Sequence, residues 1–513
     1  MNQARCVDRI GVFELSVKKI NAAMQVHFTR EIIMRKASLS FLITIIFVLA
    51  GCANRPINQP ITQVDSNSGY RSSLLIKKRQ NNDPSTLVLL SFSGGGTRAA
   101  AFSYGVLEEL RRTKIFMQGE QRRLIDEVDV ITGVSGGSFT ALAYALYGDR
   151  LFSEYETRFL KRNVEGALIG RMLNPLNWPK FIGGSAGRSE LAADYYDEIL
   201  FEGATFADLL DRPGPVALAS GTDLTTGSRL MFSQDNFDLL CSDLDQVRLS
   251  RAAATSSAVP VALSPVTFNN YGGQCNYQYP LWVKSVINPE HEIRPVGRAL
   301  ERYHELKSFQ NSKERPYIHL VDGGVSDNLG VRPALEFLEE LQASAAYSEQ
   351  VGFDHIRRIV LIVVDAHSSP PTDWDKKEVP PGFIVQLLQS ASVPIQKYSF
   401  ETVETMKDRA DLMLMKRDLE ISHAQLAGLS KSEAEASVPT HTLDVISVSF
   451  DHIRDPEERD YLMNLPTTFA LPPQAIDRLR AAAGQLLQES NDYEALVRSF
   501  NGSITATPSN LNE

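Results

Sequence analysis

Blocks of apolar residues recur along this chain at two spacings. Leu87–Phe92, Val128–Ile131, Val216–Ala219, Ile318–Val321, Ile359–Val364 and Leu443–Phe450 are short, nearly continuous and rich in β-branched or aliphatic residues. That pattern predicts strands buried on both faces. Between them, Ala99–Arg112, Ser138–Tyr147 and Arg332–Leu341 carry helical spacing, and Ala475–Glu489 closes the series with another helix. Strands alternating with helices predict an α/β sandwich.

Two segments break the rhythm. Phe152–Phe201 sets Leu173, Trp178, Phe181 and Ile182 among glycines and prolines, and Phe268–Pro316 is long and aromatic, with Tyr271, Tyr277, Tyr279 and Trp282. Each reads either as a lid or lipid-facing surface, or as an insertion packed on the flank of the domain. The first is favoured slightly as a lid.

The front of the chain has a different character. Met34-Arg35-Lys36 is basic, Ala37–Val48 is apolar, and Leu49-Ala50-Gly51-Cys52 follows. The apolar run is shorter than the ~20 residues that span a bilayer and suits the core of a signal peptide. Leu-Ala-Gly-Cys resembles the lipobox of bacterial lipoproteins, which implies cleavage before Cys52 and lipidation of its thiol. Residues 1–51 are therefore expected to be a signal region, with translation starting at Met34. Residues 52–82 are read as the lipidated cysteine and a flexible tether, because Asn54–Asn82 is rich in Asn, Gln, Ser and Arg. A catalytic domain over 83–490 and a tail over 491–513 complete the expected organisation. The expected location is the bacterial cell envelope, lipid-anchored at the outer membrane and facing the periplasm.

Charge narrows the partners. The 513-residue chain holds 52 basic and 62 acidic residues, a formal net charge of −10, and nothing in it points to nucleic acid. Apart from Cys6 and Cys52 only Cys241 and Cys275 remain, which in an oxidising compartment pair as a disulfide and otherwise stay as thiols. No Cys-x-x-Cys, His-Glu-x-x-His or EF-hand spacing is present, so neither a metal nor a cofactor is implied.

The chemistry concentrates at three strand ends. Val128–Thr132 runs into Gly133-Val134-Ser135-Gly136-Gly137, a strand-to-helix elbow that exposes a serine at a helix N-terminus, or else a plain structural turn. Leu87–Phe92 runs into Ser93-Gly94-Gly95-Gly96-Thr97-Arg98, whose bare N–H groups suit an oxyanion; a phosphate loop or tight turn is the competing reading. No Gly-Lys-Ser/Thr follows, against a nucleotide P-loop. Tyr317–Val321 ends in Asp322-Gly323-Gly324, an aspartate at a strand's carboxyl end or an Asx turn.

These motifs, with Ala253–Pro260 and Asp327-Asn328-Leu329-Gly330, stand in the order of the patatin-like phospholipase family, which the chain resembles from about Ser85 to Asp365 and more loosely to Leu487. Ser93 departs from the aspartate that many members carry before the glycines. The resemblance implies a three-layer α/β sandwich with a mainly parallel sheet. It also implies a Ser135–Asp322 dyad without histidine, and an oxyanion hole at Gly94, Gly95 and Gly96. Arg98 is expected to orient the loop or attract an anionic head group, or to be a surface residue. His367, after Ile359–Val364, is the reserve base, and His319 is expected to be a core histidine.

The function expected is hydrolysis of phospholipid or lysophospholipid esters through an acyl-enzyme, by a protein held at the membrane by its lipid anchor. The alternatives are a general carboxylesterase or thioesterase, and a non-catalytic lipid-binding envelope lipoprotein.

Overall fold

The computed structural model describes residues 55–79, 82–117, 119–178, 187–287, 297–351, 355–369, 372–438 and 441–504. The signal region and Cys52 lie outside them. Among the described residues ten strands form: β1 Thr86–Phe92, β2 Lys114–Met117, β3 Glu120–Arg123, β4 Val128–Gly133, β5 Val216–Asp223, β6 Arg229–Met231, β7 Val266–Asn269, β8 Tyr317–Asp322, β9 Arg358–Asp365 and β10 Thr442–Ser449. The six expected strands are all present, each within a few residues of its predicted ends.

The main sheet runs β10-β9-β1-β4-β5-β8-β7, with β6 paired to β5, while β2 and β3 form a separate hairpin. β10, β9, β1, β4 and β5 are mutually parallel. β8 is antiparallel to β5, β7 is antiparallel to β8, and β6 is antiparallel to β5. The sheet is thus mixed and mostly parallel.

The side-chain period of two divides the strands between two cores. Val88, Leu90 and Phe92 of β1, with Val360, Ile362 and Val364 of β9, face a large cluster that includes the helices Gly96–Arg112, Gly136–Tyr147 and Pro473–Glu489. Leu87, Ile359, Leu361 and Val363 point the other way, onto Leu335, Leu338 and Met406 from the helices Arg332–Ala343 and Phe383–Leu426. Helices on both faces of one sheet make the three-layer sandwich.

Two expected boundaries are corrected. The stretch read as a flexible tether is fastened to the domain at Asn58, Tyr70 and Arg71. The Asn58 amide donates to Ser242 Oγ (2.8 Å) and the Asn269 carbonyl (2.9 Å), Tyr70 is buried with its hydroxyl on Ala217, and Arg71 pairs with Asp235 and Asp238 at 2.7 Å. Its polar side chains find buried partners, so low hydrophobicity did not leave it loose. The region assigned to a tail begins with the helix Asn491–Ser499, whose Tyr493, Leu496 and Val497 join the core.

Neither aberrant segment is wholly a lid. In Phe152–Phe201, Phe159, Tyr196 and Phe201 surround the Phe139 ring of the elbow helix, so much of it is core. In Phe268–Pro316, Trp282, Cys275 and Phe309 are buried. Within Phe152–Phe201, Leu173–Trp178 holds the 3-10 turn Pro175–Asn177, capped by Asn174, with Leu173 and Trp178 exposed. Phe181 and Ile182 lie outside the described residues.

Candidate active site

The elbow forms where β4 stops. Ser135 adopts φ 48° and ψ −119°, a conformation unfavourable for a residue with a side chain, and the helix Gly136–Tyr147 begins at the next position. The turn is held from outside: the Ser135 N–H donates to Ser256 Oγ at 2.9 Å, and the Ser135 carbonyl accepts from Ser138 Oγ at 2.6 Å. Gly136 is required sterically, since a Cβ there would lie 2.0 Å from the Gly96 carbonyl oxygen. The elbow and the glycine loop therefore meet backbone to backbone.

Asp322 ends β8 on the neighbouring side. Its N–H donates to the Ala258 carbonyl at 3.0 Å, and the Gly323 N–H donates to the Ser256 carbonyl at 3.1 Å. Its carboxylate accepts the Gly324 N–H at 2.7 Å. Burial raises its pKa to about 6, against the opposing pull of that N–H and of the nearby Ser135 hydroxyl. At neutral pH the carboxylate is therefore mostly ionised, and it is more basic than an exposed aspartate. The structure thus brings the two expected reacting groups together.

The short segment Ser256–Ala258 touches both partners, and its part in the site was not legible beforehand. Ser256 is 121 positions from Ser135. The Ala/Ser-rich run was visible in the chain, but no spacing rule connects it to either residue.

The glycine loop differs from expectation at one position. The Gly94 N–H donates to the Asn328 carbonyl at 2.9 Å, so it is not free to meet an oxyanion. This corrects its assignment. Gly94 serves by size instead, since a Cβ there would lie 2.5 Å from Asn328 Oδ1 and 3.4 Å from Ser135 Cβ. Among the described residues, the N–H groups of Gly95, Gly96 and Gly136 donate to no carbonyl or side chain. Ser93 is buried and accepts the Ala366 N–H at 2.9 Å.

Arg98 is a buried clamp. It donates to the carbonyls of Ala366 (2.8 Å) and Leu465 (2.5 Å) and to Thr467 Oγ1 (3.2 Å), and burial lowers its pKa to about 10. That geometry orients the loop and corrects the head-group and surface readings, because the guanidinium does not reach solvent. His367 Nδ1 lies 3.3 Å from Asp365 and its Nε2 lies 3.7 Å from Asp451, and the Asp365 interaction raises its pKa. Ser135 is not among its partners. His319 is exposed rather than buried, and its Nδ1 meets Thr267 Oγ1 at 2.9 Å. Cys241 and Cys275 are joined by a disulfide with Cα atoms 5.4 Å apart. Among the described residues no group of three or more His, Cys, Asp or Glu side chains could hold a metal ion.

Residues 90–335 match the family described as patatin-like phospholipase. No curated protein matched the chain significantly. Solved structures with similarity include human GIVD cytosolic phospholipase A2, at 14% identity and TM-score 0.39 over 84% of this chain and 62% of that one. VipD from Legionella pneumophila matches at 12% identity and TM-score 0.25, over 85% and 73% of the two chains. ExoU of Pseudomonas aeruginosa, solved with SpcU, matches at 14% identity and TM-score 0.18, over 88% of each. The chain thus spans 62% of the length of the human phospholipase it matches.

Proposed function

We propose, from the match of residues 90–335 to the patatin-like phospholipase family, that the protein is a lipid acyl hydrolase that cleaves carboxylic esters of phospholipids or lysophospholipids. The observation that carries this reading is the contact between the Ser135 hydroxyl, presented on a strained elbow, and the buried carboxylate of Asp322.

The chemistry follows from those positions. Asp322 accepts the Ser135 proton as Oγ attacks the ester carbonyl. The carbonyl π electrons move to oxygen, and the N–H groups of Gly95, Gly96 and Gly136 are the donors available to that oxyanion. Collapse of the tetrahedral species breaks the bond to the alcohol, which leaves with the proton held by Asp322. Water then gives a proton to the same carboxylate, attacks the acyl-enzyme and releases fatty acid, and the proton returns to Ser135. Asp322 at pKa about 6 is a workable base for both halves, and no histidine is needed between it and the serine.

The same reading places the protein in the bacterial envelope, lipidated at Cys52 and probing the outer membrane from the periplasmic side. Leu49-Ala50-Gly51-Cys52 supports this, and so does the Cys241–Cys275 disulfide, since such bonds persist in oxidising compartments.

The test is release of fatty acid from phospholipid and from lysophospholipid by the full chain, beside its Ser135→Ala form. Turnover confined to the unaltered protein supports the proposal. Equal turnover in the Ser135→Ala form would overturn it. A protein that hydrolyses short soluble esters but neither lipid would be the general esterase or thioesterase. One that binds lipid yet is not labelled by a fluorophosphonate would be the non-catalytic lipoprotein.

A further inference from the structure

The helix Phe383–Leu426 is 44 residues long and uses only part of that length on the sheet. Val403, Met406, Ala410 and Met413 pack against Ile359, Leu361, Val363 and Leu443. One to two turns earlier, the helix reaches the loops at the carboxyl ends of the strands. Gln396 Nε2 donates to the Ser368 carbonyl at 3.2 Å, just beyond β9, and the Arg332 guanidinium lies 4.6 Å from the centre of the Tyr398 ring. The Arg332 N–H in turn binds Asp327, in the turn that follows Asp322. Gln396 therefore stands at the level of the Ser135–Asp322 site.

From Gln396 back to Phe383 runs about 20 Å of helix, at ~1.5 Å per residue, past the rim of the sheet. Its composition is unusual for an exposed element. No charged residue occurs from Val379 to Gln396, and Lys377-Glu378 and Lys397 bound the stretch. Val379 is 75% exposed, Phe383 78%, Val385 42% and Val393 40%. Phe383 and Val385 are two positions apart and so point to nearly opposite sides of the helix. A protein groove takes one stripe of residues at three- and four-residue spacing. Apolar exposure on opposite sides, with no charge to desolvate, fits a lipid layer that surrounds the segment instead. Among the described residues no helix is long and apolar enough to cross a membrane, so the segment would lie in the interface rather than span it.

We propose that Val379–Val393 is an interfacial anchor that inserts among phospholipid head groups and seats the Ser135 mouth against a lipid surface. The proposal rests on the lipid-hydrolase reading for its choice of partner. It adds how the site reaches a substrate that is held in a bilayer.

Two measurements test it, both on the full chain with Cys52→Ser, so that no acyl chain contributes. In the first, Phe383→Asp/Val385→Asp is compared with the parent on vesicles of equal parts phosphatidylcholine and phosphatidylglycerol. Binding is read in the Ser135→Ala background, and hydrolysis in the active one. Vesicle binding is expected to weaken at least about tenfold, and vesicle hydrolysis to fall with it, while p-nitrophenyl butyrate turnover is retained. Unchanged vesicle binding overturns the anchor. In the second, Phe383→Trp is expected to shift its emission to the blue on addition of the same vesicles and to be quenched by brominated lipid. No response overturns the proposal, as does a shift that follows protein concentration without vesicles, which would mark a second copy as the partner. If Phe383→Trp enters lipid but the parent hydrolyses no ester of any kind, the hydrolase reading falls and the anchor stands.

Discussion

Two buried carboxylates sit at opposite ends of the same sheet. Asp129 lies at the start of β4 and Asp322 at the end of β8, and burial raises each to a pKa of about 6. Their partners differ. Asp129 accepts the Val88 N–H at 2.8 Å, across the register shift between β1 and β4, and the Asn82 amide at 2.8 Å, with Arg79 3.9 Å away. Those neighbours are fixed donors that keep their protons. Asp322 accepts one backbone N–H and has the Ser135 hydroxyl as its other polar neighbour. A perturbed pKa thus marks both groups, and the proton that can move distinguishes the site from the scaffold.

The largest expected effect separates them by activity. Asp322→Asn and Ser135→Ala should each lower phospholipid hydrolysis by about 10³-fold or more. Asp129→Asn should stay within about threefold per folded molecule, in the same fatty-acid release assay. Equal losses at Asp129 and Asp322 would break the comparison.

The pH profile sharpens it. Only ionised Asp322 can accept the serine proton, so kcat/KM should fall about tenfold per pH unit below a midpoint near 6. The fall should persist in Asp129→Asn. A profile flat to pH 4 would show that Asp322 is not the base.

Stability should move the other way. A carboxyl raised to about 6 in the folded chain, from its ordinary 3.8, disfavours folding when ionised. The stabilisation it gives is complete below the unfolded value and is lost as pH rises through 6. Asp322→Asn should therefore be more stable than the parent above pH 6, by up to about 2–3 kcal/mol, with the gain fading toward pH 4. Asp129→Ala should instead lose about 1–3 kcal/mol, because it leaves the buried Val88 N–H without its acceptor. Urea unfolding at two pH values reads both.

Smaller effects probe the supports. Ser256 touches no substrate in the proposed chemistry but fixes the Ser135 backbone, so Ser256→Ala should lower kcat about tenfold with little change in KM. A loss expressed wholly in KM would show that Ser256 acts in binding. His367→Ala should change turnover by less than about threefold, since its ring faces Asp365 and Asp451. A collapse of activity there would restore it as a base.

Much of this was legible because it is local. Continuous apolar runs marked the six principal strands, and glycines at three strand ends marked the turns that carry Ser135, Asp322 and the loop. What stayed hidden depends on contacts distant in sequence. Gly94 reads like its two neighbours until the Asn328 carbonyl is placed beside its N–H. For Arg98 the sequence leaves loop orientation, head-group attraction and a plain surface residue open, and only the closure of Ala366, Leu465 and Thr467 around it selects the first. Asn58, Tyr70 and Arg71 lie in a polar stretch that looks unstructured because its apolar content is low, yet buried hydrogen bonds and ion pairs hold it. The long helix escaped notice because Pro394 and the polar run after it mask its periodicity.

The clamp on the glycine loop reaches well outside the matched family region. Arg98 is held by Ala366, Leu465 and Thr467, and the Thr97 N–H donates to the Thr468 carbonyl at 2.9 Å. All four partners lie beyond residue 335, where the family match ends. A chain cut there would keep Ser135 and Asp322 and lose the braces that hold the loop in place. The smallest piece that can work is therefore set by Thr468 rather than by the last recognisable motif.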